Sequence, residues 1–333
     1  MAPTVPAGNR TGCGLIRKRD QPEPGQNGGA RGPGPETGMP TKPATRLDYG
    51  RRIARAMAHV ADHPDRTPTL EELAAVAAFS PCHFHRVYRA VAGETPAETL
   101  ARARLSRAAV ELLRSGAPVA RIARRAGYGG AAAFTRAFRA AHGVPPAAYR
   151  ARGGVGLPVP SGDPPEKESG TMHHVELRDL PALRLAAVRH TGPYHEIGAA
   201  FDRLQAWGAA RGLIGPDTRF FGLFHDDPGT VPAGGLRADA GFTAGPGVEG
   251  DGEVSVIEVP AAPRVAVLRF RGPYAELERP YGWLYGEWLP ASGEEPADRP
   301  GLEEYVNDPK TTRPPELLTD IVLPLKERAA APA

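Results

Sequence analysis

Between residues 46 and 152 apolar side chains recur at three- and four-residue intervals, which predicts helices throughout. Residues 49–61 carry Ile53, Met57 and Val60 on one face. Thr69-Leu-Glu-Glu72 is a capping box opening a helix that runs through Ala77. Ser80 followed by Pro81 opens the next helix, and Gly93 ends it. A second capping box, Thr95-Pro-Ala-Glu98, opens a long helix to Arg114, and short helices come next over 118–126 and 131–142. Beyond residue 172 the apolar period changes to alternation, which predicts strands mixed with helices. That region repeats itself. Arg184-Leu-Ala-Ala-Val-Arg-His-Thr-Gly-Pro-Tyr194 matches Arg264-Val-Ala-Val-Leu-Arg-Phe-Arg-Gly-Pro-Tyr274, and Ile197, Phe201 and Leu204 answer Leu277, Tyr281 and Leu284 in the helix after each. Further strands are predicted over 218–225, 236–243, 302–307 and 318–325. Two such copies imply a pseudo-two-fold axis with a cleft between them.

Composition divides the 333 residues in the same way. Residues 46–152 hold 18 Arg, no Lys and 8 acids, a net of +10, whereas 153 to the end hold 17 basic and 27 acidic residues, a net of −10. The first region attracts polyanions and the second repels them. Residues 1–45 are rich in Gly and Pro with little to bury, and read as a disordered tail in which Met39 could be the true start. The stretch 153–171 has a linker's composition. The domains expected are therefore 46–152 and 172–328. Two cysteines, Cys13 and Cys82, make no disulfide framework, and no apolar run approaches a membrane span or a signal peptide. A cytoplasmic protein without membrane contact is expected.

Within the basic region, helix–turn–helix occurs twice: 70–77 with 81–91, and 119–125 with 131–141. In such a pair the second, reading, helix enters the major groove. In the first reading helix Phe84, Val87, Tyr88 and Val91 form the apolar stripe, leaving Cys82, His85, Arg86 and Arg89 pointing away. In the second, Phe134 and Phe138 form the stripe, and Ala131, Ala132, Thr135, Arg136 and Arg139 point away. Arg can bond guanine at two points, and His can donate or accept at a base edge. Cys82 could instead be a redox sensor, and His83 reads as a packing or capping residue.

The run Ser80-Pro-Cys-His-Phe-His-Arg-Val-Tyr-Arg-Ala-Val-Ala-Gly-Glu-Thr-Pro96, with Ala133-Phe-Thr-Arg-Ala-Phe-Arg139 and Tyr149-Arg150, resembles the AraC-type DNA-binding domain over the whole of 49–150. The resemblance implies that Cys82, His85 and Arg86 touch bases in one half-site, and Ala131, Ala132, Thr135 and Arg136 in the other. Gly130 stands where family members usually have a Ser cap, and alanines where they often have polar side chains, so weaker reading by the second helix is implied. Double-stranded DNA is the expected partner, with RNA polymerase beside it.

In the acidic region Val188-Arg-His-Thr-Gly-Pro-Tyr194, Asp226-Asp-Pro228, Leu236-Arg-Ala-Asp239, Glu303-Glu-Tyr-Val-Asn-Asp-Pro309 and Leu318-Thr-Asp-Ile-Val-Leu-Pro-Leu325 resemble the GyrI-like effector-binding domain. The fold this implies is a duplicated βαββ unit with a ligand between the copies. The fold class is thus multi-domain: an all-α double helix-turn-helix domain followed by an α+β domain. Strand alternation puts Glu303 and Tyr305 on one face and Glu304 on the other. If the first face lines the cleft, a carboxylate sits among Tyr194, Tyr274, Tyr281, Trp283 and Trp288, a receptor for a lipophilic cation. Each aromatic is as well explained by core packing, and Phe201 is read as core. Neither a catalytic set, nor a metal site, nor a cofactor is expected. The leading reading is a ligand-controlled transcription regulator, an activator. The alternatives are a hydrolase of reactive small molecules working through Glu303 with Tyr305 or Tyr274, and a drug-sequestering protein.

Overall fold

The computed structural model describes residues 43–153 and 173–327, so most of the expected tail and linker lies outside the described residues, while residues 43–45, read as tail, open the first helix. Seven helices come first: α1 (Pro43–Asp62), α2 (Leu70–Ala77), α3 (Pro81–Ala92), α4 (Pro96–Arg114), α5 (Val119–Arg125), α6 (Ala131–His142) and α7 (Pro146–Ala151). Both capping boxes form. The Thr69 and Thr95 hydroxyls accept from the amides of Glu72 and Glu98, whose carboxylates accept in return from the threonine amides. Ser80 starts α3 without a side-chain capping bond. The α2–α3 turn passes through Ala78 at φ 56°, a left-handed conformation that costs a non-glycine residue about 1 kcal/mol. Arg52 stands over this turn: Nε donates to Ala77 O at 2.8 Å, another guanidinium nitrogen donates to Ala78 O, and the group stacks 3.7 Å from the Phe79 ring centre.

The remaining elements are β1 (Val175–Leu180), β2 (Leu183–Thr191), α8 (Gly198–Ala210), β3 (Phe220–Phe224), β4 (Arg237–Thr243), β5 (Val254–Val259), β6 (Ala262–Arg271), α9 (Glu278–Trp283), α10 (Leu289–Ser292), β7 (Leu302–Tyr305) and β8 (Leu318–Pro324). The strands make one antiparallel sheet in the order β1-β6-β8-β7-β3-β4-β2-β5. Each repeat is therefore ββαββ, one strand more than the implied βαββ unit, and each hands its leading strand to the other: β1 pairs with β6, and β5 with β2. Only residues 181–182 separate β1 from β2, yet five strands lie between them in the sheet. In a flat sheet that would be roughly 29 Å at about 4.8 Å per strand, whereas three Cα steps reach about 11 Å. The sheet must curl.

One face of the curled sheet buries Leu180, Leu185, Phe221, Val265, Val267, Leu302 and Val322 together. The other carries the helices. Ala200 and Leu204 of α8 pack on Ala186, Val188, Ala240 and Phe242. In the second repeat a π-helical turn, Leu284–Trp288, joins α9 to α10, and Leu284, Tyr285, Trp288 and Leu289 pack on Ala266, Leu268, Ile321 and Leu323. That last cluster continues without a break into Tyr49, Ile53, Phe84, Val87 and Tyr88 of α1 and α3. The first helix-turn-helix unit thus shares a core with the sheet. The second has its own, built from Leu105, Leu112, Ile122, Phe134 and Phe138.

Candidate functional site

The central strand pair β3–β7 places Gly222 opposite Glu303, between the helices of the two repeats. Glu303 is buried, on the face that carries the helices, and both its oxygens accept from phenols: Oε1 from Tyr281 at 2.9 Å and Oε2 from Tyr305 at 3.0 Å. Burial pushes its carboxyl above the ordinary range, against the pull of those two hydroxyls and of the Arg86 charge. Tyr305 meets the rings of Tyr274 and Phe201 edge-on, each with centres 5.3 Å apart. A Cβ at residue 222 would lie 2.8 Å from the Tyr305 oxygen, so this approach needs glycine. Glu304 points to the opposite face, where Arg219 holds it through two bonds of 2.7 Å.

The aromatic residues expected around Glu303 divide. Tyr274, Tyr281 and Tyr305 are at the site. Tyr194 belongs to the other repeat's half: its hydroxyl donates to Asp226 O at 2.7 Å and its ring packs on Phe224. Two expectations are corrected. Trp288 is buried in the core beneath the π turn, and Trp283 rests against His173. Both tryptophans pack on the sheet cluster that Leu284 and Leu289 share, the core-packing alternative open to each aromatic. Phe201, read as core, packs on Leu204's cluster and also on Tyr305.

The larger correction concerns α3. Its expected base-reading face does not look outward but lies against the sheet domain. His83 Nε2 faces the carbonyls of Ala297 (3.0 Å) and Arg299 (2.9 Å), so it carries the proton, and Nδ1 accepts from the Tyr285 hydroxyl at 2.8 Å. Burial, helped by the Arg86 charge, pushes this imidazole down to about 4 and keeps it neutral. His85 is buried with Nδ1 3.3 Å from Asp227, whose other oxygen is 3.4 Å from Arg86 Nε. Burial works to raise the Asp227 carboxyl, but the His85 ring, the Arg86 charge and the Gly229 amide outweigh it and hold it below its ordinary value. The Arg86 guanidinium lies over Tyr281 and Tyr285, 5.1 and 5.7 Å from the ring centres. Cys82 is half-buried, and burial raises its thiol, which is the wrong direction for a redox sensor. Arg89 stays exposed, 3.3 Å from the exposed Glu278. On α6, by contrast, Ala131, Ala132, Arg136 and Arg139 are exposed and Thr135 is half-exposed.

Sequence reasoning passed over Arg52, Asp227 and Tyr285. Arg52 joins the α2–α3 turn to Glu295 at 2.8 Å, and Tyr49 donates to Glu294 O at 2.8 Å. Asp227 stood in the Asp226-Asp-Pro228 motif, but nothing local shows that its partners, His85 and Arg86, lie in a helix of the other domain.

A double helix-turn-helix domain joined to a duplicated sheet domain that buries one carboxylate between its repeats defines a DNA-binding transcription regulator with a small-molecule-sensing domain. A model of the GyrI-like small molecule binding domain matches residues 173–326, and a helix-turn-helix domain model matches 73–152. A DNA gyrase inhibitor of Edwardsiella piscicida is 32% identical over 157 residues, 46% of this chain and 98% of that protein. RclR, an RCS-specific HTH-type transcriptional activator of Escherichia coli strain K12, is 34% identical over 101 residues, 30% of this chain and 36% of that one. The EcmrR–DNA complex superposes with a TM-score of 0.41 at 17% identity, covering 49% of this chain and 60% of that one. The chain belongs to the GyrI-like family, with an AraC-type helix-turn-helix DNA-binding domain at its N-terminal side. Among the described residues no helix is long and apolar enough to cross a membrane.

Proposed function

We propose that the effector is a lipophilic cation held in the cleft by Glu303, and that its binding controls an activator that meets RNA polymerase on DNA in the cytoplasm. The observation that carries this reading is a buried carboxylate ringed by Tyr274, Tyr281, Tyr305 and Phe201, drawn from both repeats. A buried acid with no cation partner bears a desolvation cost, and a cation that reaches it relieves that cost and gains the ring faces besides. Both Glu303 oxygens are already taken by phenols, which suits a fixed counter-charge better than an attacking base, and so favours binding over turnover.

Glu303→Gln keeps the shape and removes the charge. It is expected to weaken a cationic ligand by roughly 1.5–3 kcal/mol in calorimetry. Glu304→Gln, on the other face, is expected to change little. Because the Glu303 carboxyl sits above its ordinary value, cation affinity should fall as pH drops through that raised value, and the fall should vanish in Glu303→Gln. The reverse order of the two variants would overturn the reading.

A further inference from the structure

Arg86 belongs to the reading helix, yet its guanidinium lies on the aromatic rings beside Glu303. It covers Tyr281, the residue that donates to Glu303, and it takes Asp227 as its carboxylate partner. Tyr285 closes the other side. One flat cation thus already occupies aromatic faces next to two acids, and the helix that delivers it is pinned by the His83 hydrogen bonds, with His85 buried 3.3 Å from Asp227. The same side chain cannot lie there and in a major groove.

We propose that Arg86 is a built-in competitor for the effector: a flat, delocalised monocation entering the cleft displaces Arg86, and with it frees α3 to read DNA. This rests on reading the cleft as a cation receptor. The exchange keeps a cation beside Glu303, and release of α3 opens Asp227, which loses Arg86 and His85, to water. Arg86 also defines the ligand's shape. A guanidinium or amidinium carried on an aromatic ring can lie on Tyr281 as Arg86 does, whereas a tetrahedral ammonium has no flat face to offer. Effector and DNA both oppose the docked arrangement, so each tightens the binding of the other by the same factor.

The test uses the full chain carrying Cys13→Ser, which leaves Cys82, half-buried on α3, as its single thiol. The probe cation is benzamidine. Binding is followed by calorimetry and helix release by the rate at which a maleimide labels Cys82. Benzamidine is expected to speed labelling about fivefold. Arg86→Ala is expected to bind it about tenfold more tightly, because a cleft open only part of the time lowers apparent affinity by that fraction. Asp227→Asn keeps Arg86 but loosens its anchor. It should give a smaller gain, and covers the case in which Arg86→Ala fails to fold. If benzamidine binds the parent and both variants equally, still depends on Glu303 and leaves labelling unchanged, the built-in competitor is overturned while the cation receptor stands. If it binds none of them, both fall.

Discussion

The two helix-turn-helix units read alike in sequence and are used differently. In each, a short helix and a tight turn present a reading helix that begins three residues before a buried phenylalanine and ends at a left-handed glycine, Gly93 or Gly143 at φ 76°. The second closes on itself: Phe134 and Phe138 fill a core with Tyr149 edge-on, and the polar face of α6 meets solvent. The first does not close, because Phe84 and Tyr88 lie in a core completed by strands β6 and β8, and the polar face of α3 is spent on Asp227, Tyr285 and two backbone carbonyls. A motif specifies how a helix is presented. What it is presented to depends on the rest of the chain.

The comparison breaks most sharply at the two cores. Phe84→Ala and Phe134→Ala should each cost about 3–5 kcal/mol locally. Hydrogen exchange should show the first loosening α1–α3 together with β6 and β8, and the second loosening only α4–α7. Confinement of the Phe84→Ala effect to the helices would mean that the shared core is not cooperative. Next in size is DNA contact without effector. Arg136→Ala should weaken binding to a mixed-sequence duplex at low salt by roughly 1–3 kcal/mol, and Arg86→Ala by less than a third of that. Equal losses in fluorescence anisotropy would put α3 on DNA in the resting protein.

A third effect comes from acid. Docking lowers the His83 value from 6.5 to about 4, so the docked form takes up fewer protons than the released one. Its stabilising contribution is complete above pH 6.5 and drains away as pH falls toward 4, at about 1.4 kcal/mol per unit. The groups facing His83 are Tyr285, Arg86 and Asp298. Exchange in α3, corrected for its intrinsic pH dependence, should therefore rise between pH 6.5 and 5 relative to α6. His83→Gln should flatten that rise.

Local physics made much of this legible. Capping boxes marked α2 and α4, alternation separated Glu303 from Glu304, and the repeated Gly-Pro-Tyr announced two halves. What stayed hidden depends on distant partners. An alternating strand pairs equally well with either neighbour, so nothing in β1 or β5 betrays that each crosses to the other repeat. The polar face of α3 fits water, DNA or another domain equally well, and Arg52 looks like any arginine until Phe79 and Glu295 surround it. Trp283 and Trp288 look the same in sequence whether they line a ligand site or fill a core, and only the packing on the sheet separates the two.

The crossed strands also say something about ancestry. Were the two repeats separate chains, each would lend its first strand to its twin, and the object would be a domain-swapped homodimer held together only above some concentration. Fusion into one chain removes that concentration dependence. It also ends an obligation of symmetry: in a true homodimer, a glutamate at this point of the central strand pair would face its own copy near the axis, two buried carboxyls of which one must stay protonated. Tandem duplication lets one copy keep the acid while the other becomes Gly222. A lone carboxyl group on a two-fold axis is something that no symmetric pair of identical chains could build.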